Sequence, residues 1–104
     1  MAQFDVYENA NGASHDAIPY LLDVQTGLLD SLSTRVVVPL AAASFFGKPA
    51  THLNPTFVIG EIPVVMSTAE LAGVSTAILG RKVCSLQEER DTIIAALDFL
   101  ITGF

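Results

Sequence analysis

The sequence predicts a mainly β domain: a small antiparallel β-barrel or rolled sheet, with a C-terminal helix over one open face or edge. Short apolar runs rich in β-branched residues recur between turn signals, as in a small β domain. Ser85 and Glu88 have the spacing of a capping box, and an amphipathic pattern follows them to Phe104. A length of 104 residues suits one domain, which we expect to span residues 1–104.

The first half of the chain contains three predicted strands. Residues 3–7 alternate between polar and apolar side chains, which is typical of a half-buried strand. Residues 8–17 are polar and contain an Asn-Gly pair, so we predict an exposed hairpin loop there. The second strand is predicted at 20–25, and the third at 34–40, where β-branched residues are closed by a proline.

The second half is predicted to contain shorter elements and then the helix. The expected elements are a helical turn at 41–46, strands at 56–59 and 64–67 joined by a turn at 60–63, a helical turn at 68–73, and a last strand at 74–79. Gly80 is predicted to stop that last strand. The helix is expected to begin near Leu86.

The helix has apolar residues in two directions. Ile93, Leu97, Ile101 and Phe104 recur at helical spacing, and we expect the first two of these, with Ile94, to pack on the sheet. Phe99 and Phe104 need not lie on that face. Two apolar directions on one short helix favour core packing on one side and an interface on the other. Gly103 suits a helix C-cap, so Phe104 either folds back onto the core or is presented to a partner.

Composition limits the classes of function. The chain is 51% apolar, and a small domain of this kind is expected to bury further surface in an oligomer. Five basic and eleven acidic residues give a net charge of −6, which disfavours direct binding of nucleic acid and favours a protein partner. No signal peptide is recognisable, and the apolar run at 36–46 is too short to span a bilayer, so we expect a soluble cytoplasmic protein.

Few residues suggest a reactive site. Cys84 is the only cysteine, which excludes an intramolecular disulfide and indicates a reducing compartment. It could have a lowered thiolate pKa at the helix entrance, but a small structural residue is the favoured interpretation. His15 and His52 lack the spacing of a zinc site, so no metal or other cofactor is expected. Asp23 is expected to face out of its strand, and Asp30 to be a turn residue. Met66 and Tyr20 are expected to be buried.

Taken in order, these segments resemble the CcdB family of toxins from bacterial toxin–antitoxin modules. The similarity covers nearly the whole chain and rests on a series of matches, none diagnostic alone. The matching stretches are 3–7 (QFDVY), 22–25 (LDVQ), 28–30 (LLD), 35–40 (RVVVPL), 58–60 (VIG), 66–68 (MST), 78–80 (ILG) and 101–104 (ITGF). The loop at 8–17 departs from the family pattern in length and sequence.

The resemblance implies an SH3-like barrel that forms a homodimer. The dimer would lodge in the A subunits of DNA gyrase while that enzyme holds cleaved DNA, and would block religation. A CcdA-type antitoxin would neutralise the toxin, and the complex of the two would repress its own operon. No cofactor, no membrane association and no nucleic-acid binding by the toxin alone are implied.

Carried over by position, the gyrase contacts fall on Thr102, Gly103 and Phe104. Gly103 allows close approach of a partner. Phe104 supplies apolar area, and its carboxylate can pair with an arginine. Where some members of the family carry a tryptophan able to stack on an arginine, this chain has Thr102.

Two other functions stay open. One is an endoribonuclease toxin of the MazF type, whose cationic groove would have to use Arg35 and Arg81. The other is a non-toxic relative that keeps only antitoxin binding.

Overall fold

The computed structural model describes residues 1–103, and within them seven strands form one sheet. The strands are β1 (Asp5–Asn9), β2 (Tyr20–Asp23), β3 (Thr34–Ala42), β4 (Thr56–Ile59), β5 (Ile62–Met66), β6 (Ala72–Ser75) and β7 (Leu79–Ser85). Their order is β4-β5-β3-β2-β1-β7, and β6 also pairs with β3. Every pairing is antiparallel. Helix α1 (Ala43–Phe46) is one turn, and α2 (Arg90–Thr102) is the long helix at the end. This architecture confirms the predicted fold class.

The core lies inside the curled sheet, where α2 covers it. Apolar side chains from β1 to β5 form one buried cluster, to which α2 contributes Ile93 and Ala96. Met66 is fully buried, as predicted, whereas Tyr20 is only partly buried against the cluster. A small core of this kind depends on the helix, because without α2 these apolar side chains would face water.

Pro39 does not close the third strand, which continues to Ala42. Residues Thr34–Val37 of β3 pair with β6, and Leu40–Ala42 pair with β5, so Pro39 lies between these two partners. Its carbonyl accepts the Ser67 amide at 2.9 Å. A proline is tolerated here because no neighbouring strand requires the N–H that it lacks.

The predicted last strand at 74–79 is wrong. Strand β6 ends at Ser75, a 3-10 turn covers Thr76–Ile78, and β7 passes through Gly80 to Ser85. Gly80 does not end a strand. A glycine is required there because the backbone of β1 passes close by: a Cβ would lie 2.8 Å from the backbone oxygen of Glu8. The predicted helical turn at 68–73 is only a 3-10 turn at Thr68–Glu70.

The helix begins later than predicted, and the capping box does not form. The Ser85 hydroxyl accepts the amide of Gln87 at 3.1 Å, not that of Glu88. Residues Gln87–Glu89 form a 3-10 turn, and α2 starts at Arg90. In the described part of the chain, no helix has the length and apolar character needed to cross a membrane.

Candidate functional site

Helix α2 presents its apolar residues to different surroundings along its length. Ile93 is fully buried in the core, and Ile94 and Leu97 are partly buried against it, as predicted. Ile101 was expected on the same stripe, but the residue is 74% exposed. Phe99 faces away from the core and packs against His52, with 6.1 Å between the ring centroids. The two predicted apolar directions are therefore present, and the second one is accessible.

The end of α2 is an ordered, solvent-exposed tip formed by Ile101, Thr102 and Gly103. The Thr102 hydroxyl donates to the carbonyl of Asp98 at 2.7 Å. Gly103 adopts the left-handed conformation with φ of 80°, and its amide donates to the Phe99 carbonyl at 3.0 Å. This is the αL cap that ends many helices, and it favours glycine because the conformation is strained for other residues. Phe104, the third predicted contact, lies outside the described residues.

An open groove of about 780 Å³ lies beside the tip, between α2 and the loop at 48–55. We call it the Phe99 groove, because Phe99 forms one wall together with Thr92 and Ala95. Asn54 braces the opposite wall: its side-chain carbonyl accepts the amide of Ala50, and its NH₂ group donates to the carbonyl of Met66, both at 3.0 Å. The groove is therefore formed before any partner binds.

Asp23 does not face out of its strand, contrary to the prediction. Its side chain is fully buried, and its carboxylate accepts two hydrogen bonds from Arg35, at 2.7 and 3.0 Å. Burial raises the pKa of Asp23, while the hydrogen bonds from Arg35 and the amide of Gln25 oppose that shift. Arg35 is itself fully buried, so this candidate for RNA contact is not available to a ligand.

Arg35 also fixes the loop between β2 and β3. It donates to the Gln25 carbonyl at 3.2 Å, and it pairs with Asp30 at 3.4 Å. The loop carries Leu28, whose side chain is 92% exposed, at the centre of a short 3-10 turn. In the sequence, Leu28 stands out only as part of the family-matching stretch 28–30, not as an exposed residue. The available signal was an apolar pair within a segment otherwise rich in turn residues.

The candidate reactive side chains do not come together. Cys84 lies on β7, and burial and then the nearby carboxylate of Asp5 raise the pKa of its thiol, which disfavours the reactive thiolate. His15 and His52 are both exposed and belong to separate loops. Among residues 1–103, no three metal-ligating side chains come together.

Two comparisons with known proteins bear on this site. The family model described as CcdB protein matches residues 3–103. Among solved structures, one similar chain is described as an endoribonuclease in complex with its cognate antitoxin from Mycobacterial species. The match has a TM-score of 0.75 and 13% identity, and covers 97% of this chain and 94% of the other. At that identity the similarity establishes the shared fold alone.

Proposed function

The chain belongs to the CcdB family, so it is a toxin of a toxin–antitoxin module with an antitoxin as partner, and we propose that it is a homodimeric poison of DNA gyrase. In this proposal the dimer binds the gyrase A subunits and holds the complex of gyrase with cleaved DNA, so that the break is not religated. The toxin has no catalytic step of its own. It binds one state of gyrase better than the others and thereby raises the population of that state.

The exposed tip of α2 carries this proposal. Thr102 and Gly103 are held by hydrogen bonds to their own helix, and Ile101 is exposed beside them. A rigid tip loses little conformational entropy when a partner binds it. We assign the gyrase contacts to Thr102, Gly103 and Phe104, with Gly103 allowing close approach and Phe104 supplying apolar area.

The distribution of basic residues supports protein binding over RNA cleavage. An RNA-cutting toxin needs a cationic groove and an acid–base pair. Arg35 is buried in its pair with Asp23, and Arg81 is exposed but pairs with Glu8 at 2.9 Å. In this proposal the toxin without its antitoxin meets DNA only through gyrase. Repression of the operon, the second proposed role, requires the antitoxin as well.

The proposal is tested by the cleavage of plasmid DNA by purified gyrase from the source organism in the presence of ATP. We expect linear DNA with the full chain and none with a variant that lacks residues 102–104. That variant should stay folded and dimeric, because Thr102 and Gly103 are exposed and, among residues 1–103, their hydrogen bonds stay within α2. An unfolded or monomeric truncation would contradict the assignment of these residues to a partner.

A charge substitution gives a matched pair of variants. Gly103→Glu should weaken gyrase binding, because the side chain adds bulk and negative charge at the contact and strains a residue with φ of 80°. Gly12→Glu makes the same change in an exposed loop, where a Cβ meets no neighbour, and should bind like the parent. Equal affinity of the two variants in a titration would contradict the contact. RNA degradation by the purified protein would instead establish the endoribonuclease alternative.

A further inference from the structure

The Phe99 groove is not used by the proposed gyrase contact. It adjoins the tip, since the Phe99 carbonyl that caps α2 belongs to a residue of the groove wall. Its lining is largely apolar, with Phe99, Ala95, and two prolines at the ends of the loop. A preformed apolar groove of this kind costs little to order when a chain segment enters it.

The charge of the groove differs from that of the molecule. The chain has eleven acidic residues and a net charge of −6, yet the ten lining residues include no Asp or Glu. Lys48 is the one Lys or Arg among them, and His52 lies in the same lining. Lys48 is exposed and makes no ion pair among residues 1–103. The site therefore complements an apolar side chain that has a carboxylate beside it.

We propose that the Phe99 groove binds a segment of the antitoxin in which an apolar side chain is flanked by Asp or Glu. The apolar side chain packs against Phe99 and Ala95, and the carboxylate pairs with Lys48. The groove is partly open to solvent, which suits a polypeptide better than a compact ligand that needs enclosure. This inference rests on the antitoxin partnership of the proposed function, not on gyrase binding.

The position of the groove gives it a regulatory consequence. Phe99 lies one turn before Gly103 on the same helix, and Gly103 is hydrogen-bonded to it. An antitoxin segment in the groove therefore lies against the base of the tip that we assign to gyrase. Such a segment would hinder gyrase binding without having to cover Thr102 itself.

Two pairs of variants test the groove with the purified full-length antitoxin of the same module. Lys48→Glu and its control Arg81→Glu make the same change in net charge, but only Lys48 lines the groove. Ala95→Trp fills the groove from an exposed helix position, and Ala77→Trp adds the same bulk at an exposed position elsewhere. We expect the Kd to rise by about tenfold or more for Lys48→Glu and Ala95→Trp, and to change by less than about twofold for the controls.

Urea denaturation of every variant confirms that it is folded, and linearisation of plasmid by gyrase is measured in parallel. Overlapping synthetic peptides of the antitoxin, used as competitors, should identify a segment with an apolar residue next to Asp or Glu. Equal antitoxin affinity for all four variants would overturn the proposal that the groove binds the antitoxin, and would leave the antitoxin partnership intact. Absence of antitoxin binding to the parent chain would overturn both the groove proposal and the antitoxin partnership. A change from dimer to monomer in Ala95→Trp would show that a second copy occupies the groove, which also overturns the proposal.

Discussion

Replacing Arg35 by Met should destabilise the protein strongly, because it leaves Asp23 charged in the interior. Arg35 and Asp23 both have 0% side-chain exposure, and two of the guanidinium nitrogens lie 2.7 and 3.0 Å from one carboxylate oxygen. After the change, the described neighbours leave Asp23 a single donor, the amide of Gln25 at 3.0 Å. Breaking one side of a buried ion pair typically costs about 3–5 kcal/mol.

That cost is a large share of the stability of a domain, which is commonly about 5–15 kcal/mol. With an unfolding entropy of roughly 2 cal/mol/K per residue, a chain of 104 residues should lose about 15–25 °C in Tm. Urea denaturation followed by circular dichroism measures the free energy, and a thermal scan measures the Tm. A loss below about 1 kcal/mol would refute the reasoning, because exposed ion pairs already account for a loss of that size.

The double variant with Asp23→Leu and Arg35→Met distinguishes the pair from simple loss of packing. Removing both charges leaves no uncompensated ion, so the double variant should regain most of the stability lost in Arg35→Met. The pH dependence gives a second check. Burial raises the pKa of Asp23, and removing Arg35 raises it further, so protonation should relieve the destabilisation of Arg35→Met as the pH falls. A destabilisation that does not depend on pH would indicate packing rather than charge.

Three further outcomes follow from single contacts. Gly80→Ala should lower the free energy of unfolding by about 1–3 kcal/mol, because the added Cβ would lie 2.8 Å from the backbone oxygen of Glu8. Gly73→Ala in β6 is the control in the same urea titration, because a Cβ there meets no neighbour. Asn54→Ala should lower the free energy of unfolding by about 1–2 kcal/mol, because it removes two hydrogen bonds. Unchanged stability with weaker antitoxin binding would show instead that Asn54 only shapes the groove. Cys84 should react with iodoacetamide more slowly in the native protein than in urea, because burial raises the pKa of its thiol. Mass spectrometry measures the two reaction rates, and equal rates would contradict the prediction.

Local signals were sufficient for most of the strands. The stretch at 56–59 is β4 as predicted, and 34–40 lies within β3. The predicted strand at 3–7 is displaced, since β1 covers Asp5–Asn9. Phe4, just before it, has φ of 72°, a conformation that a strand pattern does not foresee. These strands were predictable because β-branched and apolar residues define them without reference to distant parts of the chain.

The errors occurred where a distant neighbour determines the structure. Gly80 has the same local appearance as a strand stop, and only its contact with Glu8 reveals why a glycine lies within β7. Asp23 lies in a segment that is buried on both faces, so a polar residue between Leu22 and Val24 need not face outward. Its partner Arg35 is on the next strand. The strength of the pair was therefore visible only after β2 and β3 were aligned.

The candidate site divides in the same way. The exposed tip could be anticipated because Gly103 is a local C-cap signal, and the structure gives it the left-handed conformation. The Phe99 groove could not be predicted from the sequence, because its two walls come from the loop at 48–55 and from a helix distant in sequence. Leu28 was missed because exposure of a leucine is decided by the loop conformation, which Arg35 holds from the interior.

The positions of the five basic residues explain why recognition of nucleic acid is not expected from this chain alone. Arg35 is buried, Arg81 and Lys82 each pair with a carboxylate, and Arg90 lies over an aromatic ring at 5.7 Å. Lys48 is left at the groove, apart from the other four in sequence. Phosphate binding requires several cations that follow one surface, because each contact contributes by releasing a counterion. One cation in an apolar groove is instead suited to a carboxylate on a peptide, and this is why a protein partner is the better explanation of this surface.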